Sequence, residues 1–353
     1  MVRRSALFAV VIGMLCLPVG SNVSQAQNSN GCNNERDGKT DNVTDQDHLN
    51  VWTVNLKFYG PDRDKGDYEG DCFFDELARI AALDDGQKPD LILGTEIGNG
   101  QQGRFLALMK NALGVEYAGR HTEKKGDGLN LVVWRRERLR LTSKSDVLRW
   151  QRWGPVRRGC EIADNWQIAV RLRDLLQEEF VVAASVHYGA KDDYCIDKNV
   201  IRTEASIDRK WSSRPLTIVG GDFNQRPDGK TGSTKESWRA EEDPDCWYQL
   251  LSERVPETGG CTKTPVDGYY DAVREKNPDI CPHWSHSQRE IPDDPDSCSN
   301  SRRRIDFIWI RLGSEGVPDI PLAASDRGYS EDGNWAGTRY SDHRAVRARV
   351  TWP

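Results

Sequence analysis

No Cys-x-x-Cys pair occurs in the sequence, which argues against a zinc ribbon. No excess of positive charge is present either. The formal charge is −6 over 353 residues. That disfavours a passive nucleic-acid coat, yet leaves room for an enzyme that uses a local basic groove and must release its product. Beyond the N-terminus no apolar run is long enough to cross a bilayer. There is no internal repeat and no low-complexity tract. Twelve tryptophans are present, but no segment forms the clean apolar hairpin that docks on a membrane surface.

The sequence begins with a basic pair, Arg3 and Arg4, and an apolar run from Ala6 to Val19 that ends in small residues at Ser24 to Ala26. Residues 1–26 read as a secretory signal cleaved after Ala26. The alternative, a retained membrane anchor, suits a run broken by Pro18 and Gly20 less well. Removing that segment removes Arg3 and Arg4 and takes the charge from −6 to −8. It also removes Cys16, one of nine cysteines. An even number remains, which in a secreted protein points to disulfides. Sequence does not fix their pairing; neighbour pairs (Cys32 with Cys72, Cys160 with Cys195, Cys246 with Cys261, Cys281 with Cys298) keep the closed loops short. Residues 27–47 are polar and expected to be disordered. Residues 48–353 are expected to form one domain, with a Cys- and Pro-rich loop insertion around 228–300 that carries a helix near Trp247 to Arg254.

Within that domain strand-like and helix-like runs alternate. Val51 to Asn55, Leu91 to Leu93, Leu129 to Trp134, Gln167 to Leu172, Phe180 to Val186, Leu216 to Gly220, Arg304 to Ile310 and Ala345 to Val350 read as strands. Residues 73–83 carry Phe73, Phe74, Leu77, Ile80 and Ala81 at helical spacing. A second amphipathic helix holds Phe105, Leu108, Met109, Ala112 and Leu113 and stops at Gly114. Residues 195–211 read as a third helix. Many short strands with helices between them predict a layered α/β (α+β) domain in which helices cover sheets.

Polar residues stand at the ends of these strands: Asn55, Glu96, His187, Asp222 with Asn224, Asp306, and Asp342 with His343. Alone, each is weak. An Asp or Asn after a strand is usually a turn former, and a single histidine is more often structural than catalytic. Asp306 is harder to dismiss, because a carboxylate between Ile305 and Phe307 is costly to bury without a histidine, an arginine or a metal beside it.

Their order carries more weight. The runs Val54-Asn55-Leu56, Ile92-Leu93-Gly94-Thr95-Glu96, Ser185-Val186-His187, Gly221-Asp222-Phe223-Asn224, Arg304-Ile305-Asp306-Phe307-Ile308 and Ser341-Asp342-His343-Arg344 together resemble the endonuclease/exonuclease/phosphatase superfamily, in a secreted bacterial-type form. The resemblance spans residues 50–352. It implies a four-layered sandwich, two packed mixed β-sheets flanked by helices, and metal-dependent hydrolysis of phosphate esters by in-line attack of water. It implies Glu96 as the ligand of Mg2+ (Mn2+ and Ca2+ being alternatives), with Asn55 and Asp342 completing or supporting that site. It implies His343 as general base with Asp306 fixing its tautomer, Asp222 and Asn224 orienting water and phosphate, and His187 donating from the opposite side.

Three departures stand out. Thr95 occupies the place of the usual Gln before the metal Glu. Where pancreatic-type deoxyribonucleases orient the first histidine with an acidic residue, the best register puts Gly128, with Asp127 beside it. Lys57 stands where those enzymes have a phosphate-binding arginine, keeping the charge without the fork. Arg149, Trp150, Arg152, Trp153, Arg157 and Arg158 interleave cations with aromatics, which suits phosphates and stacked bases; the alternative is a strand hairpin with a solvated basic face. Lys57, Arg152 and Arg158 are the candidate phosphate contacts. Nucleic acid is the expected substrate, with no stable membrane insertion and the oligomeric state left open. The alternative is a sphingomyelinase-like or inositol-phosphate-type activity on lipid or small phosphate esters. A catalytically dead binding scaffold fits poorly, since the histidines and carboxylates are all retained.

Overall fold

Alternation along the strands builds two sheets. The computed structural model describes residues 47–59, 72–83, 88–122, 128–156, 159–189, 195–213, 215–224, 268–277, 286–287, 302–303, 305–313, 318–325, 341, 343 and 345–352. The signal segment, nearly all of 27–47, most of the 228–300 insertion with its expected helix, Asp342 and Arg158 lie outside the described residues. The first sheet contains β1 (His48–Tyr59), β2 (Leu91–Ile97), β3 (Tyr117–His121), β4 (Leu129–Arg135), β14 (Leu322–Ser325) and β15 (Val346–Thr351), in the order β14-β15-β1-β2-β4-β3. The second contains β5 (Leu139–Leu141), β6 (Val147–Val156), β7 (Gly159–Asp174), β8 (Phe180–His187), β9 (Leu216–Asp222), β10 (Tyr270–Asp271) and β13 (Asp306–Arg311). Its order is β10-β13-β9-β8-β7-β5, with β6 paired to β7. A separate ribbon joins β11 (His286–Ser287) to β12 (Arg302–Arg303). Both sheets are mixed: β1–β2 and β8–β9 are parallel and the other pairs antiparallel.

One apolar cluster fills the space between the sheets, drawing Leu49 and Val51 from β1, Leu91 and Leu93 from β2, Val181 and Ala183 from β8, and Ile308 and Ile310 from β13. The outer face of the first sheet (Trp52, Val54, Ile92) is covered by α1 (Cys72–Leu83) and α2 (Gln102–Leu113). The outer face of the second (Val182, Ala184, Trp309) is covered by α3 (Ile196–Lys210). The result is four layers, helix, sheet, sheet, helix. A short α4 (Ala272–Lys276) packs at the sheet edge beside β10. Among the described residues no helix is long and apolar enough to cross a membrane.

The predicted strands are all present, mostly longer than expected. The second helix stops at Gly114, which takes the left-handed conformation and donates its N–H to the Lys110 carbonyl. The basic, Trp-rich stretch is a strand hairpin, β6 with β7. Strands β3, β5 and β14 were not expected from sequence. They are short and sit at or near sheet edges, where one neighbour is enough to pair them.

Candidate active site

The period of two along each strand explains where the polar residues go. In β1 the row Val51, Thr53, Asn55 faces the other sheet. In β8 the row is Val181, Ala183, Ser185, His187; in β9 it is Leu216, Ile218, Gly220, Asp222; in β13 it is Asp306, Ile308, Ile310. Each row is apolar in the middle of the sandwich and polar at one end, and the polar ends coincide. Asp222 pairs with His187 on one side and Asp306 on the other. Ser185 on β8 donates to the Gly94 carbonyl on β2 at 2.8 Å, tying the sheets together just below the site.

Glu96 has the wrong parity for that crevice, since Leu91 and Leu93 are the inward residues of β2. A register shift between Gly94 and Ile97 and a left-handed backbone at Glu96 (φ 54°) re-aim it. Among the described residues four non-glycines have positive φ, and three of them, Lys57, Glu96 and Asn224, belong to this site. Such backbone strain concentrates at functional sites because only a functional geometry is worth its cost.

Asp222 is the hub. Its Oδ2 accepts from Asn55 Nδ2 at 2.9 Å and Asn224 Nδ2 at 3.1 Å, while its Oδ1 accepts from the Asn224 backbone N–H at 2.6 Å. The same Oδ2 lies 3.8 Å from His187 Nε2 and 3.8 Å from His343 Nε2. Two imidazoles thus face one carboxylate oxygen from opposite partners. His343 Nδ1 is 2.8 Å from Asp306 Oδ2, so the buried Asp306 fixes its tautomer. The His343 backbone N–H donates to Ser341 Oγ at 3.2 Å. Asn55 also donates to Glu96 Oε1 at 2.9 Å, and its Oδ1 accepts the Lys57 N–H. Asn55 therefore braces two carboxylates with its nitrogen while its oxygen serves the backbone. Asn224 braces in the same way, donating also to the Tyr188 carbonyl at 2.6 Å.

His187 Nε2 stands 3.5 Å from Glu96 Oε1. Burial, then the nearby Arg152 guanidinium and His343, pull its pKa down to about 3, so the ring is neutral and offers a hydrogen bond rather than a charge. Asp222 is pushed well above the ordinary carboxylate range, first by burial and then by the neighbouring Asp306.

Gly128 stands where the resemblance implies an acidic side chain. Its φ is 102°, and a Cβ there would stand 2.8 Å from the Glu96 Cα, so no side chain fits. His187 is held by its backbone instead. The buried Gln167 accepts the His187 N–H at 2.6 Å and donates to its carbonyl at 3.0 Å, and the Gln167 Oε1 also accepts from Asn130 Nδ2 at 2.9 Å. Arg152 Nη1 donates to the same carbonyl at 3.1 Å. Gln167 and Asn130 were missed from sequence; the only signal was two amides in otherwise apolar strands. The Thr95 hydroxyl is buried and meets no hydrogen-bond partner among the described residues, so the departure from Gln adds no bond to the site. Lys57 is exposed at the end of β1. Asp342, Arg158 and Asp127 lie outside the described residues.

Glu96, His187 and Asp222 bring one ligand atom each to within 4.8 Å of one another, as do Asp222, Asp306 and His343. Three carboxylates crowd here against two imidazoles. Hard oxygens with excess negative charge fit a hard divalent cation, which would offset the burial and the repulsion that together raise Asp222.

No family model matches the sequence, and no curated protein matches it. Solved structures do. An endonuclease/exonuclease/phosphatase family protein from Bacteroides thetaiotaomicron superimposes with a TM-score of 0.54 over 87% of this chain and 98% of its own, at 14% identity. The chain has the endonuclease/exonuclease/phosphatase fold. A mannosyl-6-phosphatase from Bacteroides thetaiotaomicron matches with a TM-score of 0.53 at 14% identity, over 86% of this chain and 100% of that one. D. rerio TDP2 complexed with a single-strand DNA product matches at 0.52 and 13%, over 86% and 99%. At these identities the endonuclease/exonuclease/phosphatase likeness describes the architecture; the site residues rest on the geometry above.

Proposed function

We propose that the chain is a secreted, divalent-metal-dependent phosphoric ester hydrolase, acting as an endonuclease on DNA or RNA. The observation that carries the reaction class is Asp222 Oδ2 lying 3.8 Å from both imidazoles beside the Glu96 carboxylate. A bound Mg2+, held by Glu96 with Asn55 bracing the carboxylate and Asp342 as the further expected contributor, would supply charge neutralisation at the phosphate. His343, its Nδ1 fixed by Asp306, takes a proton from water at Nε2 as the new P–O bond forms. Asp222 and Asn224 orient that water. Neutral His187 donates a hydrogen bond to a phosphoryl oxygen on the opposite side, and Lys57 and Arg152 add positive charge near the ester. The old P–O bond breaks, and the departing oxygen leaves with a proton drawn from solvent.

Nucleic acid as the substrate is supported by the basic, Trp-bearing β6–β7 hairpin beside His187 and by the single-strand DNA product in the TDP2 complex. Secretion rests on residues 1–26, and neighbour disulfides that join Cys32 to the buried Cys72 and Cys160 to the buried Cys195 belong to the same reading. The test is release of product with Mg2+ from plasmid DNA, RNA, sphingomyelin and inositol phosphates. Nicking of plasmid, or cleavage of RNA, that is lost with chelator and in His187→Ala is the expected result. Hydrolysis of lipid or small phosphate esters only would overturn the nuclease assignment and favour the sphingomyelinase-like or inositol-phosphate alternative.

A further inference from the structure

The β6–β7 hairpin runs past the sheet that carries it. Strand β7 extends from Gly159 to Asp174, but β8 pairs only with Ile168 to Arg173. The segment from Gly159 to Gln167 is paired to β6 alone and overhangs the end of the sheet where His187 sits. At about 3.3 Å per residue that overhang is roughly 25 Å long. A two-stranded ribbon of that length needs support, and α3 provides it. The buried Asn199 clasps the backbone of Trp153, accepting its N–H at 2.6 Å and donating to its carbonyl at 2.9 Å.

That clasp brings charge to the arm. Lys198 Nζ lies 5.4 Å from the centre of the half-buried Trp153 ring, and the Arg202 guanidinium lies 5.6 Å from it. The two cations are four residues apart, hence on one face of the helix. Of the three acids of α3, Asp197 stands in the first turn, Glu204 is engaged by Arg311 and Tyr269, and Asp208 by Arg311. The strip therefore runs from Arg152, against the His187 carbonyl, to Trp153 and on to Lys198 and Arg202. It is positive and aromatic on a protein whose overall charge is −6.

We infer that this strip binds the strand of nucleic acid flanking the cleaved phosphate, with Lys198 and Arg202 on successive phosphates and Trp153 against a base. The inference rests on the nuclease reading of the same site. Regular spacing of phosphates and bases matches a strip of alternating cation and ring, and neutralised phosphates release counterions. A lipid surface fits less well. Membrane-docking hairpins expose apolar side chains, whereas the sequence between β6 and β7 is Arg157-Arg158.

The test uses the full chain carrying His343→Ala to stop cleavage, with Mg2+ and a fluorescent oligonucleotide of about 20 nucleotides, long enough to span the site and the arm. Lys198→Ser with Arg202→Ser should weaken binding about tenfold at moderate salt and lower the slope of log Kd against log salt by about 0.7 per lost contact. Trp153→Ala should weaken it about five- to tenfold with the salt slope unchanged. On the wild-type catalytic background the same variants should hydrolyse bis(4-nitrophenyl) phosphate at the unaltered rate, which shows that the fold and the chemistry are intact. Oligonucleotide binding unchanged by the helix substitutions, or absent in the parent, overturns the strip. So does loss of binding to sphingomyelin–phosphatidylcholine vesicles with oligonucleotide binding untouched. Failure to hydrolyse bis(4-nitrophenyl) phosphate or any phosphate ester counts instead against the hydrolase reading.

Discussion

At the scale of single residues the site is held by amides and one glycine as much as by acids. Gln167 takes both backbone groups of His187, doing with a side chain what a neighbouring strand would do with its backbone. It is a positioning residue. Gln167→Ala is expected to lower kcat about 10- to 100-fold with KM little changed, as for an interaction that sets transition-state geometry. Gln167→Asn, one methylene short of both bonds, should not rescue it; lowered thermal stability in both variants with kcat of the folded protein unchanged would point to a structural role alone. Away from the site, burial raises the Asp90 carboxyl to about 7, against the opposing pull of the Asn50 N–H and of Arg138 and Arg135. Its folded pKa is above its unfolded one, so the stability it contributes is fully present below about pH 4 and is lost as pH rises through 7. Asp90→Asn keeps an acceptor for Asn50 and removes the charge. It should match wild type in acid and exceed it at pH 8 by a few kcal/mol at most, given about 1.4 kcal/mol per pKa unit. Urea unfolding at the two pH values checks this; identical pH profiles would show that Asp90 does not titrate there.

At the scale of elements, the bent ends of strands matter more than their middles. The polar strand ends were legible in sequence because short apolar runs such as Leu216 to Val219 lead directly into them. Parity then carries Asn55, His187, Asp222 and Asp306 into one crevice. Glu96 was legible as a motif, but not the left-handed turn that aims it, since nothing local distinguishes a bulge from regular strand. In sequence Gly128 reads as a gap where an acid should stand, whereas its missing Cβ is what lets its backbone lie against Glu96. Gly128→Ala should therefore push Glu96 aside. A loss of Mg2+ affinity of about tenfold or more by calorimetry, in the range seen when a ligand's support is removed, is the expected outcome, and unaltered affinity would contradict it. In sequence the β6–β7 hairpin is one of two open readings, because its apolar alternation is interrupted by Arg, Gly and Pro. Elsewhere, β7 ends in a buried ion pair. Asp174 meets Arg138 Nε at 2.8 Å and caps the following turn by accepting from Leu176 and Gln177. Asp174→Ala leaves the Arg138 guanidinium buried without this carboxylate and should cost about 3–5 kcal/mol in chemical unfolding. A cost under about 1 kcal/mol would mean that solvent screens the pair.

At the scale of the whole molecule, two sheets bring together residues from β1, β2, β8, β9 and β13 and from the segment before β15, whose strands span nearly the entire described chain. No single stretch of sequence holds the site, which is why short motifs in a fixed order were legible while overall similarity lies at 13–14% identity to the superimposed structures. Metal should bind only the folded molecule, so Mg2+ at 100 times its Kd should stabilise it by about 2.7 kcal/mol. Glu96→Gln should abolish most of that shift in a thermal melt. The central claim is that Asp222, between the two histidines, organises hydrolysis. The most direct measurement is the rate of phosphodiester cleavage by Asp222→Asn, which keeps size and shape, beside wild type with Mg2+. The account predicts a fall on the order of 10³ or more with an unchanged circular dichroism spectrum. A rate within about tenfold of wild type, for a variant that removes the charge shared by both histidines, would contradict it.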